Sequence, residues 1–477
     1  MPVSSSYLRG IGRFLPSRRI QHATRCACEE RGVTMAPGPT NERTARKHAM
    51  TSPEIISNGG GGGKRAPRLD GLRGYLALGV IIVHVAFAAG VIGFYDKPAD
   101  SIWAVLVQGF NVLLPPFFVM SGLLLYRPFA RATIVGTPRP AIRSYLIKRM
   151  LRILPAYWLV AVAALLLLNA KSVDGVWYVL SPLLLMHNYV PGPELGYAGL
   201  EPTWTVPAEV TFYLALPILA WIFDRYARKA ATPAGKARRL IVPLAVFVLV
   251  GLAWTVYTHL EFMGPFPYEY FWVIGFTGFL AIGMGLAILA AYAEATNTTP
   301  RFYQAVARRP LLFWLGALVI YVVNCIRPFG KPGMADYATV PEALAEMVLF
   351  LVFALLIIAP VVVPNVRSAV IDGVLTNRPM RFFGRISYGV YLWHFVLQYL
   401  WLENGSIFGA APLPMPAVMG KAGFWELLTV VLVGTVIIAT ISYYLVELPA
   451  MRLRERLVAS SGRRQAEREE ERTRVPA

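Results

Sequence analysis

The chain has 477 residues, of which 56% are hydrophobic and 15% are charged, with 46 Lys and Arg against 27 Asp and Glu. Soluble domains average about 45–50% apolar and about 25% charged residues. This composition excludes a disordered chain, a coiled coil, a secreted disulfide scaffold and an ordinary soluble enzyme, and it indicates a polytopic membrane protein. The net charge of +19 does not indicate nucleic-acid binding, because the basic residues lie between apolar stretches as membrane topology requires.

The first 67 residues are rich in Arg, Ser, Pro and Gly and contain a run of glycines at 59–63. They predict a disordered basic leader and a flexible linker. We expect a transmembrane domain at 68–450 and a charged cytoplasmic tail at 451–477. Only three cysteines are present, and Cys26 and Cys28 have the wrong spacing for a usual zinc or redox pair, so we expect neither a structural disulfide nor a metal site.

Ten apolar stretches of roughly 15–26 residues follow the leader, each near the length that spans a bilayer. The fold class predicted from them is an all-α polytopic membrane protein of about ten transmembrane helices. The predicted spans are 71–93, 102–126, 153–169, 205–223, 240–258, 269–293, 311–325, 343–363, 386–402 and 424–446.

The distribution of basic residues tests this count. With the amino terminus in the cytoplasm, the five predicted outer loops hold only Lys97, Lys171, Arg327, Lys331 and Lys421 of the 46 Lys and Arg. The inner segments hold the others, as the positive-inside rule predicts for ten helices with both termini in the cytoplasm.

The first predicted helix carries the most informative pair of polar residues. Arg73 and His84 are eleven positions apart, which places them on nearly the same helix face, about 16 Å apart along the axis. A cation at the membrane surface and an imidazole deep in the span suit a long anionic substrate. Ionisable groups inside spans are expensive and indicate function, although a single buried histidine also suits a satisfied core hydrogen bond.

Two further ionisable residues lie within predicted spans at comparable depth. His394 is in the ninth span, and Glu209 is in the fourth, in the outer third of the membrane. With His84 they suit general acid–base chemistry on a hydroxyl group. The alternatives are that His394 bonds a backbone carbonyl and that Glu209 pairs with a donor in an outer loop.

A basic segment before the third span supplies Arg149 and Arg152, which share a helix face. Guanidinium groups suit phosphate and pyrophosphate. Plain positive-inside bias is the alternative explanation for these two arginines.

Six motifs in order over residues 68–449 resemble the acyltransferase family 3 membrane proteins, which include bacterial O-antigen acetyltransferases. They are Leu-Asp-Gly-Leu-Arg-Gly at 69–74 with Arg73-x10-His84; Phe-Phe-Val-Met-Ser-Gly at 117–122; Arg149-x2-Arg152 before Pro-x-Tyr-Trp; Trp204-Thr to Glu209-x2-Phe-Tyr; Ile-Ser-Tyr-Gly-Val-Tyr-Leu-Trp-His394; and Tyr443-x3-Glu447-x-Pro. Each motif alone is weak, and their order on ten spans makes the resemblance specific. The chain looks like the stand-alone form, without a fused extracytoplasmic domain.

The resemblance implies an O-acyltransferase of the inner (plasma) membrane. Its donor would be cytoplasmic acyl-CoA, with acetyl-CoA as the default, and its acceptor a hydroxyl of a sugar, glycolipid or related envelope molecule. Arg73, Arg149 and Arg152 would bind the acyl-CoA phosphates. His84 would act either as general base or as a transient acyl carrier, with Glu209 and His394 orienting the acceptor. The lipid bilayer is the other expected partner. The alternative function is a proton-coupled transporter of a small organic solute, since buried His and Glu suit that class as well.

Overall fold

The computed structural model describes residues 66–92, 101–190, 196–327, 337–455 and 457. Most of the predicted leader and most of the predicted tail lie outside these residues, as do Cys26 and Cys28. Every regular element within the described residues is helical. The helices are α1 (Pro67–Ala88), α2 (Ile102–Gln108), α3 (Pro115–Ile134), α4 (Ile142–Leu167), α5 (Val176–Leu183), α6 (Thr205–Ala227), α7 (Pro233–Thr258), α8 (Thr277–Thr296), α9 (Arg301–Arg308), α10 (Pro310–Ile326), α11 (Val340–Val362), α12 (Ala369–Leu375), α13 (Arg378–Trp401), α14 (Met415–Val418) and α15 (Phe424–Ser442).

The all-helical class and the membrane character agree with the sequence. By length and composition, eight helical segments among the described residues are able to cross a membrane, or nine if α9 and α10 form one bent span. Helix α13 contains all but the last residue of the predicted span 386–402 but is not among the helices that meet this test. The exact number of ten spans and the cytoplasmic side of both termini therefore stay predictions.

Helices α9 and α10 meet at a bend of 88° around Arg309. Pro310 opens α10, and a proline disfavours helical backbone angles in the residue before it. Arg309 accordingly has φ −138° and ψ 55°, which ends α9. The bend shows that 311–325 is preceded by a separate short helix.

Glycines bring α1 and α13 into backbone contact. A Cβ atom on Gly384 of α13 would lie 1.7 Å from the carbonyl oxygen of Asp70, and one on Gly74 of α1 would lie 2.4 Å from that of Met380. Small residues allow this close approach of membrane helices. The crossing matters for the site because α1 carries Arg73 and His84 while α13 carries His394.

An ion pair fixes α12 against the start of α1. Arg68 donates to both carboxylate oxygens of Asp372, at 2.7 and 2.9 Å, and to the carbonyl oxygen of Val366. These hydrogen bonds hold the pKa of Asp372 below its ordinary value of 3.8. A depressed carboxyl pKa contributes stability above the unfolded-state pKa, and that stability is lost as the pH falls through the folded-state pKa.

We expect Asp372→Asn to lower the free energy of unfolding at pH 7 by less than about 1 kcal/mol, because the Asp372 side chain is 45% exposed and solvent weakens the pair. Thermal unfolding of both purified proteins between pH 3 and pH 7 measures the difference. It should shrink towards pH 3, and a difference that is constant with pH would contradict the assignment of the stability to this ionised pair.

The last long helix changes its winding near its end. Tyr443–Glu447 form a π-helical turn, and the α-helix then continues to Glu455. Such turns insert an extra residue and often lie at functional sites. Here the turn brings Tyr443 and Glu447 to the wall of the cavity described next.

Candidate active site

A cavity of about 940 Å³ lies between α1, α3, α4, α6, α13 and the helical segment after α15. That volume is in the range of pockets that enclose small-molecule ligands. Ala66, Pro140 and Ala141 line one end, at helix ends that the basic-residue pattern predicts to be cytoplasmic, and we call this end the mouth. Val80, Thr205 and Tyr391 also line the cavity, further from those helix ends, and we call their end the deep end.

The cavity is strongly basic. Among the residues that the structure describes, its wall contains seven basic side chains and four acidic ones. The basic residues are Arg73, Lys148, Arg149, Arg152, Arg385, Arg452 and Arg454, and the acidic ones are Asp70, Glu209, Glu447 and Glu455. All three arginines predicted to bind phosphate therefore face one space.

Helix α4 contributes a row of polar side chains to the cavity wall. Tyr145, Lys148, Arg149 and Arg152 all line the cavity. Their spacing of three and four residues places them on one helix face, so they follow one another along the cavity wall from the mouth inwards. Arg73 of α1 faces the same space.

The three cavity arginines predicted to bind phosphate differ in their pairing from several arginines outside the cavity. Arg131 pairs with Glu294 at 2.5 Å, and Arg139 and Arg228 both pair with Asp224. By contrast, Arg73, Arg149 and Arg152 form no ion pair with any carboxylate of the described residues. Because unpaired charges in a cavity are costly, this arrangement favours an anionic ligand there.

Glu209 lies in the same cavity. Its carboxylate accepts a hydrogen bond of 2.8 Å from Tyr213, one helical turn further along α6. Arg152, Arg73 and Arg149 act on it electrostatically from beyond ion-pair distance. The structure therefore places Glu209 with the predicted donor-binding arginines.

His84 and His394 are in direct contact. Nδ1 of His84 lies 2.9 Å from Nε2 of His394. The ring planes are within 16° of each other and the centroids are 5.1 Å apart, which is about the nitrogen separation plus two ring radii. The rings therefore meet edge to edge through this hydrogen bond. Phe395 packs edge-on against both rings and provides an apolar wall.

The hydrogen bonds of the pair determine which nitrogen holds each proton. Nδ1 of His394 lies 2.7 Å from the carbonyl oxygen of Tyr391, which only accepts, so this nitrogen donates. Nε2 of a neutral His394 then accepts from Nδ1–H of His84. The lone pair of His84 is consequently on Nε2, where a base would need it.

The histidine pair lies just beyond the deep end of the cavity. Val80 lines that end and precedes His84 by four residues on the same face of α1, while Tyr391 precedes His394 by three on α13. The Tyr391 hydroxyl contacts Thr205 at 2.8 Å and donates to the carbonyl oxygen of Pro202. Tyr391 and Thr205 therefore line the end of the cavity next to the histidine pair, and the ring centroids of Tyr391 and His394 are 6.0 Å apart.

Several cavity residues were not predicted as site residues. The sequence could have predicted Lys148 and Tyr213 as site residues, because each lies four residues from a predicted one, Arg152 and Glu209 respectively. Arg385, Arg452 and Arg454 had none, since isolated basic residues at inner helix ends are ordinary. Among the described residues, no cluster of three or more His, Cys, Asp and Glu is arranged to hold a metal ion.

A family model described as an acyltransferase domain, acyltransferase 3, matches residues 67–446. The chain belongs to this acyltransferase family. The match covers every helix that lines the cavity up to the π-helical turn. It favours an enzyme over the transporter alternative.

Curated relatives carry compatible names. The chain is 25% identical to nodulation protein 10 of Rhizobium leguminosarum bv. viciae over 72% of this chain and 83% of that protein. It is 25% identical to a putative peptidoglycan O-acetyltransferase, YrhL, of Bacillus subtilis over 80% of this chain and 54% of that protein. It is 21% identical to the peptidoglycan O-acetyltransferase OatA of Listeria monocytogenes over 70% of this chain and 49% of that protein. The chain thus spans about half the length of these two peptidoglycan enzymes.

No solved structure matches the chain. The family and the relatives show that this acyltransferase is an O-acyltransferase enzyme, and its apolar helices make it a multi-pass membrane protein.

Proposed function

We propose that the acyltransferase moves an acetyl group from cytoplasmic acetyl-CoA to a hydroxyl of a cell-envelope carbohydrate or glycolipid, in the inner (plasma) membrane. The observation that carries this proposal is the basic cavity with unpaired arginines, which ends one helical turn from a hydrogen-bonded histidine pair. The names of the peptidoglycan O-acetyltransferases support an envelope carbohydrate as acceptor.

The donor would bind with its phosphates against Arg73, Arg149 and Arg152. Guanidinium groups hold phosphates by charge-assisted hydrogen bonds, and these arginines have no carboxylate competing for them at ion-pair distance. Arg73 and His84 are about 16 Å apart along α1, a length that an extended pantetheine arm covers. The thioester would reach His84 by passing Tyr391 and Thr205.

His84 would then act as the general base. Its Nε2 takes the proton of the acceptor hydroxyl as the oxygen attacks the thioester carbon. The carbon–sulfur bond breaks, and the imidazolium returns the proton to the departing thiolate of CoA. His394 keeps Nδ1 of His84 in the donor role throughout, so that Nε2 is the atom that exchanges the proton.

Glu209 would act on the donor side of the cavity. Its predicted position in the outer third of the membrane had suggested that it orients the acceptor. Its electrostatic attraction to Arg152 and Arg73 favours a role in balancing the charge of the donor site over one in orienting the acceptor. The same carboxylate is fixed by Tyr213.

Sealed inside-out vesicles from cells that express the protein test the proposal. We expect acetyl label from added acetyl-CoA to enter the glycan or glycolipid fraction with the wild-type protein and not with His84→Gln. Wild-type vesicles that contain folded protein and envelope acceptor but leave acetyl-CoA unconsumed would refute the donor assignment.

A further inference from the structure

The helical segment after the π-helical turn forms part of the cavity wall. Arg452, Arg454 and Glu455 line the cavity together with Lys148 and Arg149 of α4. The sequence places these residues in a solvated tail. Instead, the Arg454 side chain is only 13% exposed, and its Nε is buried without a hydrogen-bond partner among the described residues.

Arg454 forms a cluster of positive charges with α4. Its charge repels those of both Lys148 and Arg149. The Nε of Arg149 is also buried and without a partner among the described residues. Glu455 approaches Arg454 at 3.5 Å, but its side chain is 59% exposed and it balances at most one of the three charges. Like charges gathered on the wall of one cavity favour a ligand with negative charge.

The cavity therefore has two basic levels. Arg152 lies one helical turn deeper on α4 than Lys148, towards Glu209 and Arg73. Lys148 and Arg454 lie nearer the mouth, and Arg149 interacts electrostatically with both Arg152 and Arg454. The proposed donor also has two separate phosphate groups: a pyrophosphate next to the pantetheine arm, and a 3′-phosphate on the ribose at the far end.

We propose that Arg454 and Lys148 bind the 3′-phosphate of the donor, so that the enzyme selects acyl-CoA over donors that lack this phosphate. The inference rests on the proposed function, because the direction of the donor follows from placing its thioester near His84. With the pantetheine arm pointing inwards, the pyrophosphate meets Arg152 and Arg73, and the ribose end meets Lys148 and Arg454.

Binding of CoA and of 3′-dephospho-CoA to the purified full-length protein in lipid nanodiscs tests this proposal. We expect the wild-type protein to bind CoA at least tenfold more tightly, which corresponds to about 1.4 kcal/mol. Arg454→Gln and Lys148→Gln should each weaken CoA binding towards that of 3′-dephospho-CoA while leaving 3′-dephospho-CoA binding unchanged. The matched control is Arg238→Gln, an exposed arginine on α7 outside the cavity, which should keep the full preference.

Two results would overturn the proposal: a wild-type protein that binds both ligands equally, or an Arg454→Gln variant that keeps the tenfold preference. Unchanged affinity for 3′-dephospho-CoA shows that a variant is folded, and Lys148→Gln carries the test if Arg454→Gln does not fold. A wild-type protein that binds neither ligand would instead refute the proposed donor.

Discussion

His84→Gln is expected to lower the rate of acyl transfer by about 10²–10⁴-fold, the usual contribution of a general base, while leaving CoA affinity unchanged. Glutamine has a similar reach and is polar, but it cannot take a proton from the acceptor hydroxyl. His84 lies beyond the deep end of the basic cavity, so its replacement should not disturb the phosphate site. Single-turnover transfer and CoA binding, measured on the same nanodisc preparation, separate the two effects.

His259→Gln is the matched control for this variant. His259 lies at the end of α7, where its Nδ1 is 2.7 Å from the carbonyl oxygen of Thr255, and it does not line the cavity. Its replacement should leave transfer unchanged. If His84→Gln retains more than a tenth of wild-type transfer, His84 is not the base.

Gly384→Val is expected to have the largest effect on folding, at about 4 kcal/mol or more, because the new side chain meets backbone that cannot move away. A Cβ at this position lies 1.7 Å from the carbonyl oxygen of Asp70. Accommodating it would push α13 away from α1 and separate His394 from His84. The yield of monodisperse protein after solubilisation, and its thermal unfolding, measure the loss.

Gly373→Val provides the comparison, because a Cβ at Gly373 on α12 meets nothing within 4 Å. That variant should fold with wild-type yield. A Gly384→Val protein with wild-type yield and thermal stability would show that the tight crossing of α1 and α13 is absent from the folded protein.

The sequence predicted the helical class and the shared face of Arg149 and Arg152, because both follow from local apolar runs and helical periodicity. It also predicted similar depths for His84 and His394, since depth depends on the distance from a helix end. It did not predict that the two imidazoles share a hydrogen bond. That contact depends on how α1 is rotated against α13. The two helices cross where Gly74 and Gly384 allow their backbones to approach, and these glycines are far apart in the sequence.

Three further features were not predicted from the sequence, each for its own reason. Glu209 lies in the same cavity as Arg73, Arg149 and Arg152 because the face of α6 that carries it is directed towards α1 and α4. The bend at Arg309 depends on the non-helical backbone angles of this residue before Pro310, which the apolar run at 311–325 does not reveal. Arg454 lines the cavity from the helical segment that follows the π-helical turn at Tyr443–Glu447, and no periodicity in the sequence marks such a turn.

The most direct test of the account is an experimental structure with a non-transferable acetyl-CoA analogue, in which a methylene separates the sulfur from the carbonyl group. We predict that the analogue lies in the basic cavity, with its phosphates against Arg149 and Arg152. Its carbonyl should pass Tyr391 and lie close to His84, leaving room for an acceptor hydroxyl within hydrogen-bonding reach of Nε2, about 2.6–3.2 Å. An analogue bound outside the cavity, or inside it with its carbonyl at the mouth, would contradict the account.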